Sequence, residues 1–200
     1  MRSFLLFQFN KMSNKGFTLI EVLVALFILS TGILGAVAMQ ASAKKGSFDA
    51  MQRSMASSLA QDIVERMRGN DTDPTNGILN GYNGSAYGLG ELVHLSDNQR
   101  CNSSATLCTS EQLRTNDLYE WELSLRGANV RNGNVNNGGL VGVVGCINHS
   151  NGNVTIAISW EGREETSDGA TNNVGFGQNC GSSTISTNKR RQITINAFIH

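Results

Sequence analysis

Residues 15–29 read Lys-Gly-Phe-Thr-Leu-Ile-Glu-Val-Leu-Val-Ala-Leu-Phe-Ile-Leu. Beyond Glu21 the chain carries no charge from Val22 to Met39, 18 mostly apolar residues. A helix needs about 17–25 such residues to cross a bilayer. The run extends through Ala43 before Lys44 interrupts it. On the other side the first 20 residues hold Arg2, Lys11 and Lys15 and no acid. Positive charge keeps that end cytoplasmic, so the bulk of the chain is expected outside. Glu21 is the anomaly. An acidic side chain costs roughly 2.5–3.5 kcal/mol at the centre of a membrane helix and less near its end. Glu21 is therefore either an interfacial residue or a residue with a partner.

A cleaved secretory signal is the rival reading, with Ala36-Val37-Ala38 as its small-residue site. Three features oppose it: the length of the run, the helical pattern that follows, and Glu21. From Lys44 to Arg68 there is no proline, and good helix formers dominate. Phe48, Met51, Met55, Leu59, Ile63 and Met67 recur at spacings of three and four and predict one apolar stripe packed on a sheet. Gly69-Asn70 supplies a stop and Pro74 a break. A helix from Phe17 to Arg68 would be roughly 75–80 Å long. Its weak point is Ser30-Thr31-Gly32 with Gly35, expected either to allow close helix contact in lipid or to melt on assembly.

The segment from Lys15 onward resembles the class III signal of type IV pilins and type II secretion pseudopilins: a basic residue, Gly16, the Phe-Thr-Leu-Ile-Glu start, then an apolar helix. The resemblance implies a leader of residues 1–16, cut by a prepilin peptidase between Gly16 and Phe17. It also implies N-methylation of Phe17 and a role for Glu21 in filament assembly. Phe17 and Glu21 are four apart and share a helical face. A buried Glu21 could pair with a neighbour's Phe17 amine and set register. The leader is long for this type, and Met12 offers a second start that gives a compact Met-Ser-Asn-Lys-Gly.

Four parts are expected: residues 1–16 as leader, 17–43 as a transmembrane and filament-core helix, 44–68 as its amphipathic continuation, and 69–200 as a globular head. The head reads as α+β. Residues 75–100 are a Gly/Asn-rich loop anchored by Tyr82 and Tyr87. Thr109-Ser110-Glu111-Gln112 is a capping-box pattern that opens a helix with Leu118, Trp121 and Leu125 on one face. Gly127 ends that helix, and 129–139 is a flexible connection. Leu140–Ile147, Val154–Trp160 and Gln192–Ile199 are predicted strands, the last two apolar on one face. Asn148–Asn153 is the turn between the first two. The result is a small antiparallel sheet covering a helix.

Cys101, Cys108, Cys146 and Cys180 all lie on the exported side and form no C-x-x-C pair, so disulfides are favoured over a zinc ribbon. Four cysteines allow three connectivities. Cys101–Cys108 with Cys146–Cys180 is the expected one, the first closing a short loop and the second tying a strand to the loop before the last strand. Cys101-x6-Cys108-Thr109, Gln112-Leu113, Asp117-Leu118, Trp121, Gly145-Cys146, the 154–160 strand and the terminal strand entered through Arg190-Arg191 together resemble the PilV family of type IV pilus modification proteins. That resemblance implies a type IV pilin-like fold and a minor pilin that helps initiate or cap the pilus. It implies roles in twitching motility and adhesion, and no catalysis. Its partners would be prepilin peptidase, other minor pilins and the major pilin, with the inner membrane as host before assembly into an extracellular pilus. Two alternatives stay open: a type II secretion pseudopilin, and a membrane-anchored adhesin or ligand-binding domain outside any filament.

Composition points the same way. Lys+Arg and Asp+Glu are equal at 16 each. Removing the three bases of the first 20 residues leaves 13 basic against 16 acidic side chains, a net of −3. Nucleic-acid binding is not expected from such a chain. The 22 Gly and 22 Asn favour turns and loops. His94, His149 and His200 are scattered, and no H-E-x-x-H, G-x-S-x-G or P-loop occurs. No enzyme activity, cofactor or metal is therefore expected. His149 is expected in an exposed turn. Glu161, Glu164 and Glu165 read as a solvated turn, and Asp168 lacks the alternating partners of a calcium loop. Lys189-Arg190-Arg191 reads as a charged strand edge that resists aggregation.

Overall fold

A computed structural model describes residues 16–71, 77–90, 95, 99–102, 107–133, 135–172 and 175–199. Arg2, Lys11, Met12, Lys15, Pro74, His94 and His200 lie outside the described residues. The chain forms two compact units that divide between Lys44 and Lys45.

The first unit holds the N-terminal part of helix α1, Leu19–Asn70. Every described residue of it is exposed, including Leu19, Leu26, Phe27 and Leu34. An 18-residue window of α1 has a mean hydropathy of 2.5, and none of it is buried.

The second unit is an α+β head. A four-stranded antiparallel sheet runs in the order β1 (Gly84–Tyr87), β4 (Val144–Ser150), β5 (Asn153–Glu161), β6 (Arg190–Phe198). The rest of α1 and helix α2 (Ser110–Leu125) contribute to the core beside one face. The buried residues of α1 are Gln52, Ala56, Ala60, Ile63, Val64, Met67 and Asn70. The stripe therefore differs from the expected one: Met51 is exposed and Phe48, Met55 and Leu59 are only half-buried. The methyl-sized Ala56 and Ala60 are fully buried, and the longer Met55 and Leu59 next to them are half-buried. Ala56, Ala60, Ile63 and Met67 keep the three-and-four spacing, so the pattern was present one residue round the helix.

Helix α2 begins with the expected box. The Thr109 side chain accepts from the Gln112 N–H, and the Gln112 side chain accepts from the Thr109 N–H at 2.9 Å. It ends in a Schellman turn. Gly127, at φ 64, donates to Ser124 O, and Ala128 donates to Leu123 O. Trp121 and Leu125 are fully buried, while Leu118 is half-buried. The Trp121 indole donates to Leu59 O at 2.8 Å and meets Tyr87 edge-on at 5.4 Å. Gly145 lies under that indole. A Cβ there would come 2.7 Å from the ring, so β4 has no side chain at that position.

Four readings around the strands need correction. The first strand is Val144–Ser150, later than expected, because Gly142 at φ 56 turns the chain just before it. Residues 148–150 pair with 153–155, so the turn shrinks to Asn151-Gly152, at φ 52 and 76. Asn-Gly in a two-residue turn matches the right-handed strand twist and was the signal to trust. β5 is buried on both faces: Val154, Ile156, Ile158 and Trp160 face the helices, while Ala157 packs with Val144, Cys146, Cys180 and Ile185. Residues 129–139 contain two short paired strands, β2 (Arg131–Asn132) and β3 (Val135–Asn136). A single turn of helix α3 (Phe176–Asn179) precedes Cys180.

Candidate functional site

The sequence places the candidate site at the N-terminus of α1. Gly16 and Phe17 precede the helix, and Phe17 is 86% exposed. Glu21 lies in the first turn. There the structure adds a contact beyond the motif residues themselves. The Thr18 N–H donates to Glu21 Oε2 at 3.0 Å, the Thr18 hydroxyl donates to the same oxygen at 3.1 Å, and the Glu21 N–H reaches back to Thr18 Oγ1 at 3.4 Å. This is a capping box, Thr-Leu-Ile-Glu, with the spacing already recognised at Thr109–Gln112. Glu21 thus closes the open N–H groups of its own helix, and its carboxylate counters the positive end of the helix dipole.

Further along, the hydroxyls of Ser30 and Thr31 donate to the carbonyls of Phe27 and Ile28. The helix is continuous through Gly32 and Gly35 in the single chain. A Cβ at either glycine would meet nothing within 4 Å. Among the described residues, no contact requires those glycines.

Two polar clusters organise the head. Asn70, at the end of α1, donates to the Tyr82 hydroxyl at 2.9 Å and to Ser110 O at 2.8 Å. Tyr82, in the 3-10 turn Ile78–Tyr82, donates to Asp117 Oδ2 at 2.8 Å, and Arg66 reaches Asp117 Oδ1 at 3.4 Å. Burial pushes the Asp117 carboxyl above its usual range, while the Tyr82 hydroxyl and Arg66 pull it back. Burial likewise raises Tyr82, and raises Tyr87 to about 12 with help from Glu122. The tyrosines expected as loop anchors are thus tied to both helices. Tyr87 itself belongs to β1 and donates to Tyr82 O.

The second cluster corrects the reading of the basic triplet. Arg190 is buried, not a solvated edge charge. It donates to both oxygens of Asp168, at 2.8 and 2.5 Å, and to the carbonyls of Gln178 and Cys180. Its hydrogen bond holds the Asp168 carboxyl below the usual range. Arg191 donates to Glu164 O. Glu164 pairs with Lys45 at 2.7 Å, and Glu161 lies at the end of β5, 3.6 Å from Lys189. His149 is also displaced from its expected turn. It is a half-buried strand residue whose ring nitrogens meet Asn80 Oδ1 and the Gly152 N–H. Cys101 pairs with Cys108, and Cys146 with Cys180. Among the described residues, no group of three or more His, Cys, Asp or Glu side chains is placed to hold a metal ion.

An uncovered apolar helix with a small antiparallel four-stranded sheet is the α+β architecture of a type IV pilin-like protein. The prokaryotic N-terminal methylation motif, as a family model, matches residues 11–37. No curated protein and no solved structure matches the chain. The motif indicates a type IV pilin or pseudopilin, anchored in a membrane, processed by a prepilin peptidase and assembled with other pilins. It points to a structural role.

Proposed function

We propose that the chain is a minor pilin of a type IV pilus, of the PilV kind, that helps initiate or cap the filament and so supports twitching motility and adhesion. The observation that carries this reading is the methylation motif at residues 11–37 leading into a helix whose large apolar side chains have no cover. Such a surface is stable first in lipid and then against the helices of other subunits. The head, stapled by two disulfides, suits the oxidising side of the inner membrane and then the cell exterior.

In this reading residues 1–16 are the leader. Cleavage between Gly16 and Phe17 removes the basic residues and frees an α-amine, which is then N-methylated on Phe17. Among the described residues Glu21 starts with Thr18 as its side-chain hydrogen-bonding partner. On assembly it exchanges that local cap for the Phe17 amine of a neighbouring subunit. A carboxylate left unpaired in the filament core is costly, so correct register is favoured over every other.

The test is mass spectrometry of the chain recovered from sheared pili. N-methylated Phe17 at the mature N-terminus supports the reading. An unprocessed chain confined to the membrane refutes it. Deleting the protein should cut surface piliation while leaving type II secretion intact. The opposite pattern would assign the chain to a secretion filament.

A further inference from the structure

The two edges of the head sheet are managed in different ways. β1 is only four residues long, its register against β4 breaks between Gly84 and Tyr87, and the Asn83 side chain takes up both backbone groups of His149 beside it. β6 is nine residues long and pairs with β5 without a break from Asn153↔Phe198 to Glu161↔Arg190. Its outward groups follow from two bonds. The Gly169 N–H donates to Arg190 O from outside the sheet, and the Ile199 N–H donates to Gly152 O on the β5 side. Antiparallel alternation then turns the backbone groups of residues 190, 192, 194, 196 and 198 away from β5. Gly169 covers the first of them. Among the described residues, no backbone hydrogen bond reaches Thr194 or Asn196 from that side.

Gln192–Phe198 contains no charge and no proline. Lys189-Arg190-Arg191 does not protect this stretch, because Arg190 is buried on Asp168 and Arg191 is held by Glu164. A long, uncharged, unbulged edge is a template for another strand. Alongside it runs a groove of about 380 Å³ lined by Arg53, Ser57, Gly169 and Gln192–Ile195. Arg53 is exposed and has no ion-pair partner among the described residues.

We propose that the outer edge of β6 is a strand-addition site. Its occupant is an extended segment of a different polypeptide that carries a carboxylate for Arg53. The open backbone groups of Thr194 and Asn196 select an extended main chain, and half-buried Ile193 and Ile195 supply apolar contact. Arg53 decides between partners. A second copy of this chain, paired antiparallel about Ile195, would bring two arginines toward one another, whereas an acidic strand neutralises the one that is there. The inference goes beyond the filament reading and holds for a pilus or a secretion filament alike.

The test uses the full chain in two forms. In the purified protein the amides of Thr194 and Asn196 should exchange with solvent about 100-fold faster than those of Ile193 and Ile195, which bond to β5. Equal protection of all four means the edge is closed, and the proposal fails. In cells, a photoreactive benzophenone side chain replacing Asn196 should cross-link to another protein at an extended segment with an Asp or Glu within two residues of the attachment. Thr194→Pro removes only an outward N–H, a change edge strands tolerate. It should abolish the adduct, and Arg53→Glu should reduce it at least about tenfold. No adduct, an adduct on a helix, an adduct to a second copy, or an adduct indifferent to both substitutions overturns the proposal.

Discussion

Leu29 and Ile156 are both branched aliphatic residues, yet Leu29 is 59% exposed on the apolar helix and Ile156 is fully buried in the head. The difference runs through the whole of both regions. Residues 17–44 contain a high density of large apolar side chains and cover none of them. Residues 45–200 are rich in Gly and Asn, yet bury Ile63, Tyr82, Trp121, Ile147, Ile156 and Ile158 almost completely. Apolar content therefore does not decide burial. One face of a helix has to meet something, and among the described residues only the head provides it. The stem is completed by lipid or by other subunits.

Paired substitutions can break this comparison. Trp121→Ala removes the largest fully buried side chain of the head, together with its bond to Leu59 O and its contact with Tyr87. It should cost about 3–5 kcal/mol, read as a shift in urea unfolding of the detergent-solubilised chain followed by near-ultraviolet dichroism. Leu29→Ala should leave that transition unmoved and lower recovery of the chain in sheared filaments. A Leu29→Ala variant whose head unfolds earlier would show that the two regions are not independent. Glu21→Ala should behave like Leu29→Ala: processed normally, poorly incorporated, with a head of unchanged stability.

The disulfides sharpen the comparison inside the head. Cys146–Cys180 spans 34 residues and Cys101–Cys108 spans 7. By loop-closure entropy the longer bridge contributes about 4 kcal/mol and the shorter about 2.5. Cys146→Ser with Cys180→Ser should therefore lower the urea midpoint more than the corresponding change at Cys101 and Cys108. The longer bridge also packs on Val144 and Ala157, so its removal disturbs the back face of the sheet.

A pH series separates the two polar clusters by sign. Asp168 has a folded-state pKa below its unfolded value, because Arg190 binds the carboxylate. Its contribution is full above the unfolded pKa of about 3.9 and disappears as pH falls through the folded value. Asp117 is shifted upward by burial, so it does not lose stability in that acid range. Asp168→Asn should cost about 1.5–3 kcal/mol at neutral pH and flatten the acid limb of the unfolding curve. Asp117→Asn should leave that limb in place.

The stem and α2 were largely legible in the sequence, because local signals determine them. An uncharged apolar run, a capping box and a glycine in left-handed conformation act within a few residues. The sheet was legible in outline only. The first strand was placed early because Leu140, Val141 and Val143 are apolar, whereas Gly142 at positive φ and the Asn151-Gly152 turn fix the true register. The burial of Arg190 is not legible in the sequence because its partner, Asp168, lies 22 residues away. The buried stripe on α1 lies one step round from the one the spacing predicts, because the rule rewards large side chains and the small Ala56 and Ala60 are the fully buried ones. At the candidate site the motif residues were legible, but not the bond between Thr18 and Glu21. That bond follows the common Thr-x-x-Glu capping pattern, set at the start of an apolar run.

That bond supplies the smallest and most discriminating prediction. The same box, a threonine followed three residues later by Glu or Gln, opens both helices: Thr18–Glu21 on the stem and Thr109–Gln112 in the head. Thr109→Val removes the acceptor for the Gln112 N–H where α2 packs on the core. It should lower global head stability by about 1 kcal/mol. Thr18→Val removes an equivalent acceptor from an exposed helix start that packs on nothing among the described residues. It should leave head unfolding unchanged and fray only the first turn, seen as faster amide exchange at Leu19–Glu21. It also removes one of the donors holding the Glu21 carboxylate. If Glu21 must leave Thr18 to meet a neighbouring subunit's amine, Thr18→Val should be incorporated into filaments at least as well as the parent chain, in contrast to Glu21→Ala. Incorporation as poor as that of Glu21→Ala would mean that the cap persists in the filament and that Glu21 acts on its own helix alone.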